Sequence, residues 1–143
     1  PITLAIIKAL IVQSSSRSFA IPVTSVRETL SLEGVEIRTV ERKRVIQLRE
    51  NTLPLLTLEN FFGLDSVPEL PENPFAVVVG ESDKRIGIVL HDLLGQQYLV
   101  IKSLGSMFKR VGGIAGAADL GDQSTILVLD VSGIVAETMR GMA

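Results

Sequence analysis

The sequence predicts an all-β protein made of two similar small barrels, because strand-like segments recur at a nearly constant spacing. Residues 53–58 (Leu-Pro-Leu-Leu-Thr-Leu) match residues 126–131 (Ile-Leu-Val-Leu-Asp-Val) position for position, 73 residues further along. Residues 19–23 (Phe-Ala-Ile-Pro-Val) match residues 86–90 (Ile-Gly-Ile-Val-Leu) at a spacing of 67. Aromatic residues make up only 4% of a chain that is 46% hydrophobic. The core must therefore consist of valine, isoleucine and leucine, a composition that favours strands.

Each repeat spans roughly 65 residues, which is close to the lower limit for a unit that folds alone. We therefore expect the two units to share an interface and to form one body. Duplicated units of this kind build binding surfaces more often than catalytic centres.

The first repeat is predicted to contain five short strands and one helical turn. Unbroken or alternating apolar residues indicate the strands, and polar clusters separate them. The predicted elements are strands at residues 3–12, 18–23, 35–40, 45–48 and 53–56, a helical turn at residues 24–30, and hairpin loops at residues 14–16 and 49–52.

The second repeat follows a polar connector, residues 65–74, which contains three prolines and is expected to be extended. Its predicted elements are strands at residues 75–80, 85–90, 97–101 and 125–129, a glycine-rich stretch at 112–116, and a closing helix from Asp130 to about Met139. Strands this few and this short avoid exposed edges by closing into a barrel. Thr57 and Asp130 occupy equivalent positions, and both are residue types that cap helices.

Composition and charge exclude several classes of function. The net charge is −2, so the chain lacks the general positive field of a nucleic-acid binder, and the basic run Arg42-Lys43-Arg44 reads as a solvated loop. There is no cysteine, which excludes disulfides and thiolate metal sites and fits a cytoplasmic protein. The longest apolar stretch, residues 4–12, is interrupted by Lys8 and is too short to span a membrane. Pro1 in place of an initiator methionine indicates a fragment of a longer chain.

Residues that could support catalysis or bind metal are few. The single histidine, His91, precedes an aspartate, and neighbouring side chains of an extended segment point to opposite sides, which is a poor arrangement for a catalytic dyad. Asp119 and Asp122 lie in a glycine turn, where aspartate is favoured for backbone reasons. Asp130 corresponds to Thr57 in the other repeat, and these residue types share helix capping but not acid–base chemistry. We therefore expect no enzyme activity, no metal and no cofactor.

Several motifs occur in the order found in a known family. Residues 45–58 (Val-Ile-Gln-Leu-Arg-Glu-Asn-Thr-Leu-Pro-Leu-Leu-Thr-Leu) resemble the hairpin of CheW-like domains, usually Ile-Asn-Leu-Arg-Gly followed by Pro-Val-Ile-Asp-Leu, with Glu50 at the usual glycine position. Residues 94–105, and residues 116–122 with 126–131, resemble the C-terminal regulatory domain of the chemotaxis histidine kinase CheA. Residues 1–6 resemble the join to the ATP-binding domain of that kinase, which free-standing CheW lacks.

The resemblance implies two intertwined five-stranded SH3-like barrels, related by pseudo-two-fold symmetry, with short helical turns. It also implies a non-catalytic regulatory and scaffolding domain that docks the CheW coupling protein and the cytoplasmic tips of chemoreceptors, so that receptor state controls the kinase. The ATP site and the phospho-accepting histidine of such a kinase belong to other domains. The implied location is the cytoplasm, in membrane receptor arrays held through partners, with the neighbouring kinase domain of the same chain as a further partner. Neither nucleic acid nor direct membrane insertion is implied.

The expected organisation is one CheW-like domain over residues 1–143. Residues 13–66 are expected to form mainly the first barrel and residues 75–135 mainly the second. Residues 1–12 are expected to be a strand that joins the preceding kinase domain, and they are a candidate for sharing between the barrels.

The first repeat is expected to carry the docking surface, on the two strands that flank the basic loop. There, apolar residues stand directly beside a basic hairpin tip, as in an interface with an apolar centre and a charged rim. The candidate partner-binding residues are Val35, Ile37, Arg38, Val40, Arg44, Val45, Ile46, Leu48 and Arg49.

Two other functions stay open at this point. A free-standing CheW-type adaptor shares the motifs and differs in lacking an upstream kinase domain. A small barrel that binds nucleic acid requires exposed stacking aromatics on a positive face. Phe19, Phe61, Phe62 and Phe75 all lie in apolar, core-like contexts instead.

Overall fold

The computed structural model describes residues 4–64, 72–102, 112–121 and 124–142, and strands dominate these ranges. The strands are β1 (Leu4–Ser14), β2 (Arg17–Pro22), β3 (Val26–Ser31), β4 (Arg38–Val40), β5 (Lys43–Leu48), β6 (Asn51–Leu56), β7 (Phe75–Glu81), β8 (Lys84–Leu90), β9 (Asp92–Lys102), β10 (Ile114–Asp119) and β11 (Thr125–Leu129). The helices are α1 (Leu58–Phe61) and α2 (Val131–Met142), with a 3-10 turn at Val23–Ser25. Most of the predicted connector, residues 103–105 and Asp122 lie outside the described residues.

The strands form two units, which confirms the all-β prediction. One is a closed barrel of five strands in the order β1-β2-β11-β10-β9, and the other is a six-stranded sheet in the order β3-β7-β8-β6-β5-β4. Most neighbouring strands are antiparallel. Within the described ranges, no helix has both the length and the apolar character needed to cross a membrane.

Each unit contains one parallel strand pair, and the two pairs are equivalent by the internal repeat. β6 pairs with β8 so that Leu55 lies opposite Gly87, and β11 pairs with β2 so that Val128 lies opposite Ala20. Residues 55 and 128 are 73 apart, and residues 20 and 87 are 67 apart, which are the spacings of the sequence repeat. Each parallel pair therefore joins one strand of the first repeat to one strand of the second, and the repeats are intertwined.

This exchange places some strands of each repeat in the unit that is built mainly from the other repeat. The sequence assigned residues 13–66 mainly to one barrel and residues 75–135 mainly to the other. In the structure, β2 of the first repeat lies in the barrel with β9, β10 and β11, whereas β7 and β8 of the second repeat lie in the sheet with β3 to β6. The barrel is built from the two ends of the chain and the sheet from its middle, because each parallel pair crosses between repeats.

Three hydrophobic clusters stabilise the two units and the interface between them. Ala9, Ile11 and Val128 belong to the cluster of barrel residues, and Ile46 and Val78 belong to the cluster of sheet residues. The largest cluster takes residues from both units and from α1 and α2: Leu10, Val12, Phe19, Ile21, Leu58, Val77, Val79, Ile86, Ile88, Leu90, Leu129, Val131, Ile134 and Val135. The interface between the units is thus itself a core, as expected for repeats too small to be stable alone.

Two predicted elements differ in the structure. The segment predicted as a helical turn at residues 24–30 has a single 3-10 turn and then continues as β3. Burial alternates along β3, with Val26, Glu28 and Leu30 half-buried, and this period of two is that of a strand. The strand predicted at residues 35–40 is shorter in the structure. Only its last three residues, Arg38–Val40, pair with β5 and form β4.

Both predicted helix caps are confirmed. The Thr57 side chain accepts a hydrogen bond from the Asn60 backbone N–H at 3.2 Å, and the Asp130 carboxylate accepts one from the Gly133 N–H at 3.2 Å. Each cap satisfies one of the backbone donors left open at a helix start. The caps fix the points at which β6 and β11 end and the helices turn into the shared core.

Candidate docking site

The predicted site lies on the β4–β5 hairpin at the edge of the six-stranded sheet. Val40 pairs with Lys43, so the turn consists of Glu41 and Arg42, which both have positive φ angles (51° and 69°). Two successive left-handed residues form the tight turn that matches the twist of antiparallel strands. All three residues of β4 are exposed, and among the described strands β4 has a neighbour on one side only.

A groove of about 490 Å³ runs along this edge. Of its apolar lining residues, Val45 and Ile46 are buried, whereas Val35 and Val40 are exposed. The remaining lining residues are polar or charged: Glu36, Arg38, Gln47 and Thr52. Apolar residues beside polar ones are the composition of a protein docking groove.

The most exposed apolar residue of the groove is Val40, the last residue of β4 before the turn. It is 52% exposed, although it belongs to a strand. Arg38 lies two residues away in the same strand and forms an exposed ion pair with Glu36, with 3.4 Å between Nε and Oε1. Such an exposed pair contributes little to stability, so a partner can replace it at small cost.

The structure brings together only some of the predicted partner-binding residues. Val35, Arg38, Val40, Val45 and Ile46 all line the groove, but Val45 and Ile46 are buried and can only be touched through it. Ile37 and Leu48 are half-buried and pack against the cluster of sheet residues. Which of these residues contact a partner stays a prediction. On this edge of the unbound domain, Val35, Arg38 and Val40 are the exposed ones.

Arg44 lies on the other side of the hairpin. It lines a separate hollow of about 420 Å³ with Phe61 of α1 and Thr138 of α2. Because side chains alternate along a strand, Arg44 and its neighbour Val45 point to opposite faces. The predicted basic rim of Arg38 and Arg44 is thus divided between two grooves.

Arg49 occupies the tip of the β5–β6 hairpin, as predicted, with a positive φ of 57°. Its side chain is 67% exposed, but it has an ionic partner within the domain. Its guanidinium donates two hydrogen bonds of 3.0 Å to the carboxylate of Glu28 on β3. Since β3 is the far edge strand of the sheet, this bond shows that the sheet curves until its edge approaches the hairpin.

The ion pair shifts the pKa of both side chains. The hydrogen bond from Arg49 lowers the pKa of Glu28, and the positive charges of Arg49 and Arg85 lower it further, whereas desolvation opposes the change. The hydrogen bond to Glu28 and its negative charge raise the pKa of Arg49. A partner that takes Arg49 must therefore compete with Glu28, a residue that the sequence analysis did not single out. The alternation of side chains along β3 places Glu28 on the same face as Val26 and Leu30, and this alternation was the signal that could have found it.

The single histidine has a structural role. His91 Nδ1 accepts a hydrogen bond from the Ser15 N–H at 2.9 Å, and the His91 N–H donates to the Gln13 carbonyl at 2.9 Å. These bonds join His91 to the β1–β2 turn and the end of β1. In the described part of the chain, no group of three or more His, Asp or Glu side chains is placed to hold a metal ion.

Comparison with known proteins identifies the family. The CheW-like domain family matches residues 8–139. The chain is 41% identical over 135 residues to the sensor histidine kinase CheAY of Helicobacter pylori, covering 94% of this chain and 17% of the relative. It is 35% identical over 132 residues to the chemotaxis protein CheA of Treponema pallidum, covering 92% of this chain and 16% of the relative. The chain thus spans less than a fifth of the length of these two relatives.

A solved structure shows the same fold. The scaffolding protein TtCheW from Thermoanaerobacter tengcongensis superposes with a TM-score of 0.69, covering 88% of this chain and 90% of that chain, at 14% sequence identity. The two-unit β architecture is therefore shared with a protein of very different sequence. Because the family match covers nearly the whole chain, this protein belongs to the CheW-like domain family.

Proposed function

We propose that this domain is the non-catalytic regulatory and scaffolding domain of a chemotaxis histidine kinase. It docks the CheW coupling protein and the cytoplasmic tips of chemoreceptors, and receptor state thereby controls a kinase domain in the same chain. Such a domain works in the cytoplasm, in membrane receptor arrays held through its partners. The ATP and phospho-acceptor sites lie in other parts of the kinase. The similarity to CheA proteins supports this assignment.

The observation that carries the proposal is the groove along β4. Val45 and Ile46 are buried apolar residues that line it, and Val40, which also lines it, is exposed. A few apolar side chains buried at the centre of a contact supply most of the binding energy. Arg38 at the margin and Arg42 at the turn supply charges that steer an acidic partner and set its orientation. Among the described strands, none pairs with the outer edge of β4, so this edge also offers backbone groups for an added strand.

A free-standing CheW-type adaptor is the second candidate, because the TtCheW fold is the same. The two candidates differ in what precedes residue 1 in the intact gene. An ATPase domain immediately upstream supports the kinase, and its absence supports the adaptor. A nucleic-acid-binding module is less supported, because Phe19 is buried and Phe61, Phe62 and Phe75 pack against the largest cluster.

The docking site is tested by titrating this chain with a CheW protein while amide exchange is measured. We expect protection of β4, β5 and their turn. Val40→Asp should weaken binding about tenfold or more, because it places a charge in the apolar part of the contact. Leu94→Asp is the matched control, since Leu94 is an equally exposed apolar residue (53%) in the barrel. Protection confined to the barrel, or equal loss in both variants, would place the contact elsewhere.

Arg49 requires a separate variant, because it has a partner within the domain. Arg49→Ala should weaken assembly with receptor or coupling protein while changing the thermal midpoint little, since exposed ion pairs contribute little to stability. Glu28→Gln is the informative comparison. It releases Arg49 from its internal partner, so binding should stay equal or become tighter. Weaker binding in Glu28→Gln would mean that the pair itself, rather than Arg49, forms the contact.

A further inference from the structure

An exposed apolar surface lies on the barrel, whereas the β4–β5 hairpin belongs to the six-stranded sheet. On the outer face of β1 and β9, Ile6 and Tyr98 are each 71% exposed, and Leu4 and Val100 stand beside them. Ile6 lies directly opposite Val100 across the two strands. We call these four residues the β1–β9 face. The alternate residues of the same strands, such as Leu99, turn inward and join the cluster of barrel residues.

The first part of β1 also has an open backbone edge. β9 pairs with β1 along residues 4–13, but β2 pairs with it only from Ala9 to Ser14. Among the described strands, none pairs with the other edge of residues 4–8. An exposed edge with apolar side chains is a template for an additional strand.

The residues along this edge are self-complementary. In an antiparallel pairing of two copies centred on Ile6, Ile6 faces Ile6 and Leu4 faces Lys8. The only charged side chain of the segment, Lys8, therefore meets an apolar side chain and not a second lysine. Like charges directly opposite each other would destabilise a strand pair. The same register also places the two β1–β9 faces side by side, with Lys8 on the same face, its Nζ 5.8 Å from the centre of the Tyr98 ring.

We propose that this edge of β1 pairs with the same edge of a second copy of this chain, in a symmetric antiparallel contact centred on Ile6. A symmetric contact of this kind closes at two subunits, because each copy uses the same patch. It leaves the β4 groove free on both copies. The pairing goes beyond the proposed docking function and does not depend on it.

The contact is small. Stable interfaces bury about 800 Å² on each partner, and five paired residues with two exposed apolar side chains per copy fall below that. We therefore expect a reversible dimer whose population depends on concentration. When the domain is part of an assembly that holds many copies together, the high local concentration of copies would favour the pairing.

Sedimentation equilibrium of the chain tests the proposal, with concentrations from about 10 µM to about 1 mM, the range in which small interfaces associate. We expect the average mass to rise from monomer toward dimer. Ile6→Lys should lower the association constant at least about tenfold, because the two introduced charges face each other. Ile6 is mostly exposed, so this variant should fold normally. Leu94→Lys, which changes an exposed residue near the other end of β9, should dimerise as the unaltered chain does.

Mixing two variants tests the register. Ile6→Lys and Ile6→Glu should each be monomeric, and an equimolar mixture of the two should form a mixed dimer, because position 6 faces position 6. A chain that stays monomeric at about 1 mM, a mixture that fails to associate, or equal loss in Leu94→Lys would overturn the proposal. Protection of the amides of residues 4–8 by added CheW protein, without protection on raising the concentration of the chain alone, would assign the edge to another occupant and would also overturn it.

Discussion

The guanidinium of Arg49 and the carboxylate of Glu28 form two parallel hydrogen bonds of 3.0 Å between the β5–β6 hairpin and the edge strand β3. The two residues are 21 positions apart in sequence, and β3, which carries Glu28, is not a neighbour of β5 or β6, whose connecting turn carries Arg49. A bidentate bond of this kind fixes orientation as well as distance. It therefore links the curvature of the sheet to the position of a predicted docking residue.

The first prediction concerns the pH dependence of stability. Because Arg49 lowers the pKa of Glu28 in the folded state, the ionised pair stabilises the fold at pH values above the ordinary glutamate pKa, and this contribution is lost as the pH falls through the lowered value. Glu28→Gln should thus be slightly less stable than the unaltered chain at pH 7, and the difference should shrink below about pH 4. Urea unfolding at several pH values measures the difference in unfolding free energy between the two chains. Glu50→Gln is the control, because it also removes one carboxylate but from the residue next to Arg49 in the β5–β6 turn, and it should leave the curve unchanged. Equal curves for both variants would contradict the role of the pair.

The second prediction concerns the helix caps. Asp130→Ala should cost about 1 kcal/mol of unfolding free energy, because the Gly133 N–H loses its acceptor, and Asp130→Asn should cost much less. Thr57→Ala should have a comparable effect at the equivalent position of the first repeat. Denaturant titration of the four chains measures these differences. If Asn proves as damaging as Ala, the charge of Asp130 has a role beyond capping.

The third prediction concerns a buried polar contact between the units. The Ser14 hydroxyl, at the end of β1, donates to the carboxylate of Glu59 in α1, at 2.7 Å from Oε2, and both residues are buried. Ser14→Ala should cost about 1–3 kcal/mol, because it removes a hydrogen bond from a buried carboxylate. Replacing both residues, with Ser14→Ala and Glu59→Met, should cost less than Ser14→Ala alone, because no buried charge remains. A thermodynamic cycle measures this coupling, and additive effects would contradict it.

The fourth prediction concerns the turn before β10. Gly113 has a positive φ of 93°, and a Cβ atom there would come within 2.7 Å of Phe61 Cε2 and 3.1 Å of Ile134 Cγ1. Gly113→Ala should therefore cost about 1–3 kcal/mol through backbone strain and crowding of the shared core. Gly112→Ala is the control, because open space surrounds that position. Thermal unfolding of the two variants should show a clear loss for the first and little change for the second. Similar midpoints would contradict the close approach of the turn to α1 and α2.

The sequence by itself determined the local features of this protein. The repeats at spacings of 73 and 67 residues correspond to equivalent strands, β6 with β11 and β2 with β8, and the residues that end β6 and β11 cap helices as their types predict. The hairpin tip at Arg49 was also predicted. These features depend on residues within a few positions of one another, so the local pattern of side chains is sufficient to specify them.

The tertiary structure decided which strands pair and which side chains stay exposed. The parallel pairs β2–β11 and β6–β8 cross between repeats, because that arrangement buries the largest cluster between the two units. Packing within the sheet buries Ile46 in the cluster of sheet residues, and the curvature of the sheet brings Glu28 to Arg49. The sequence of a strand shows an apolar face whether that face packs against the core or binds a partner. Only the long-range contacts of the folded chain distinguish a core face from a docking face.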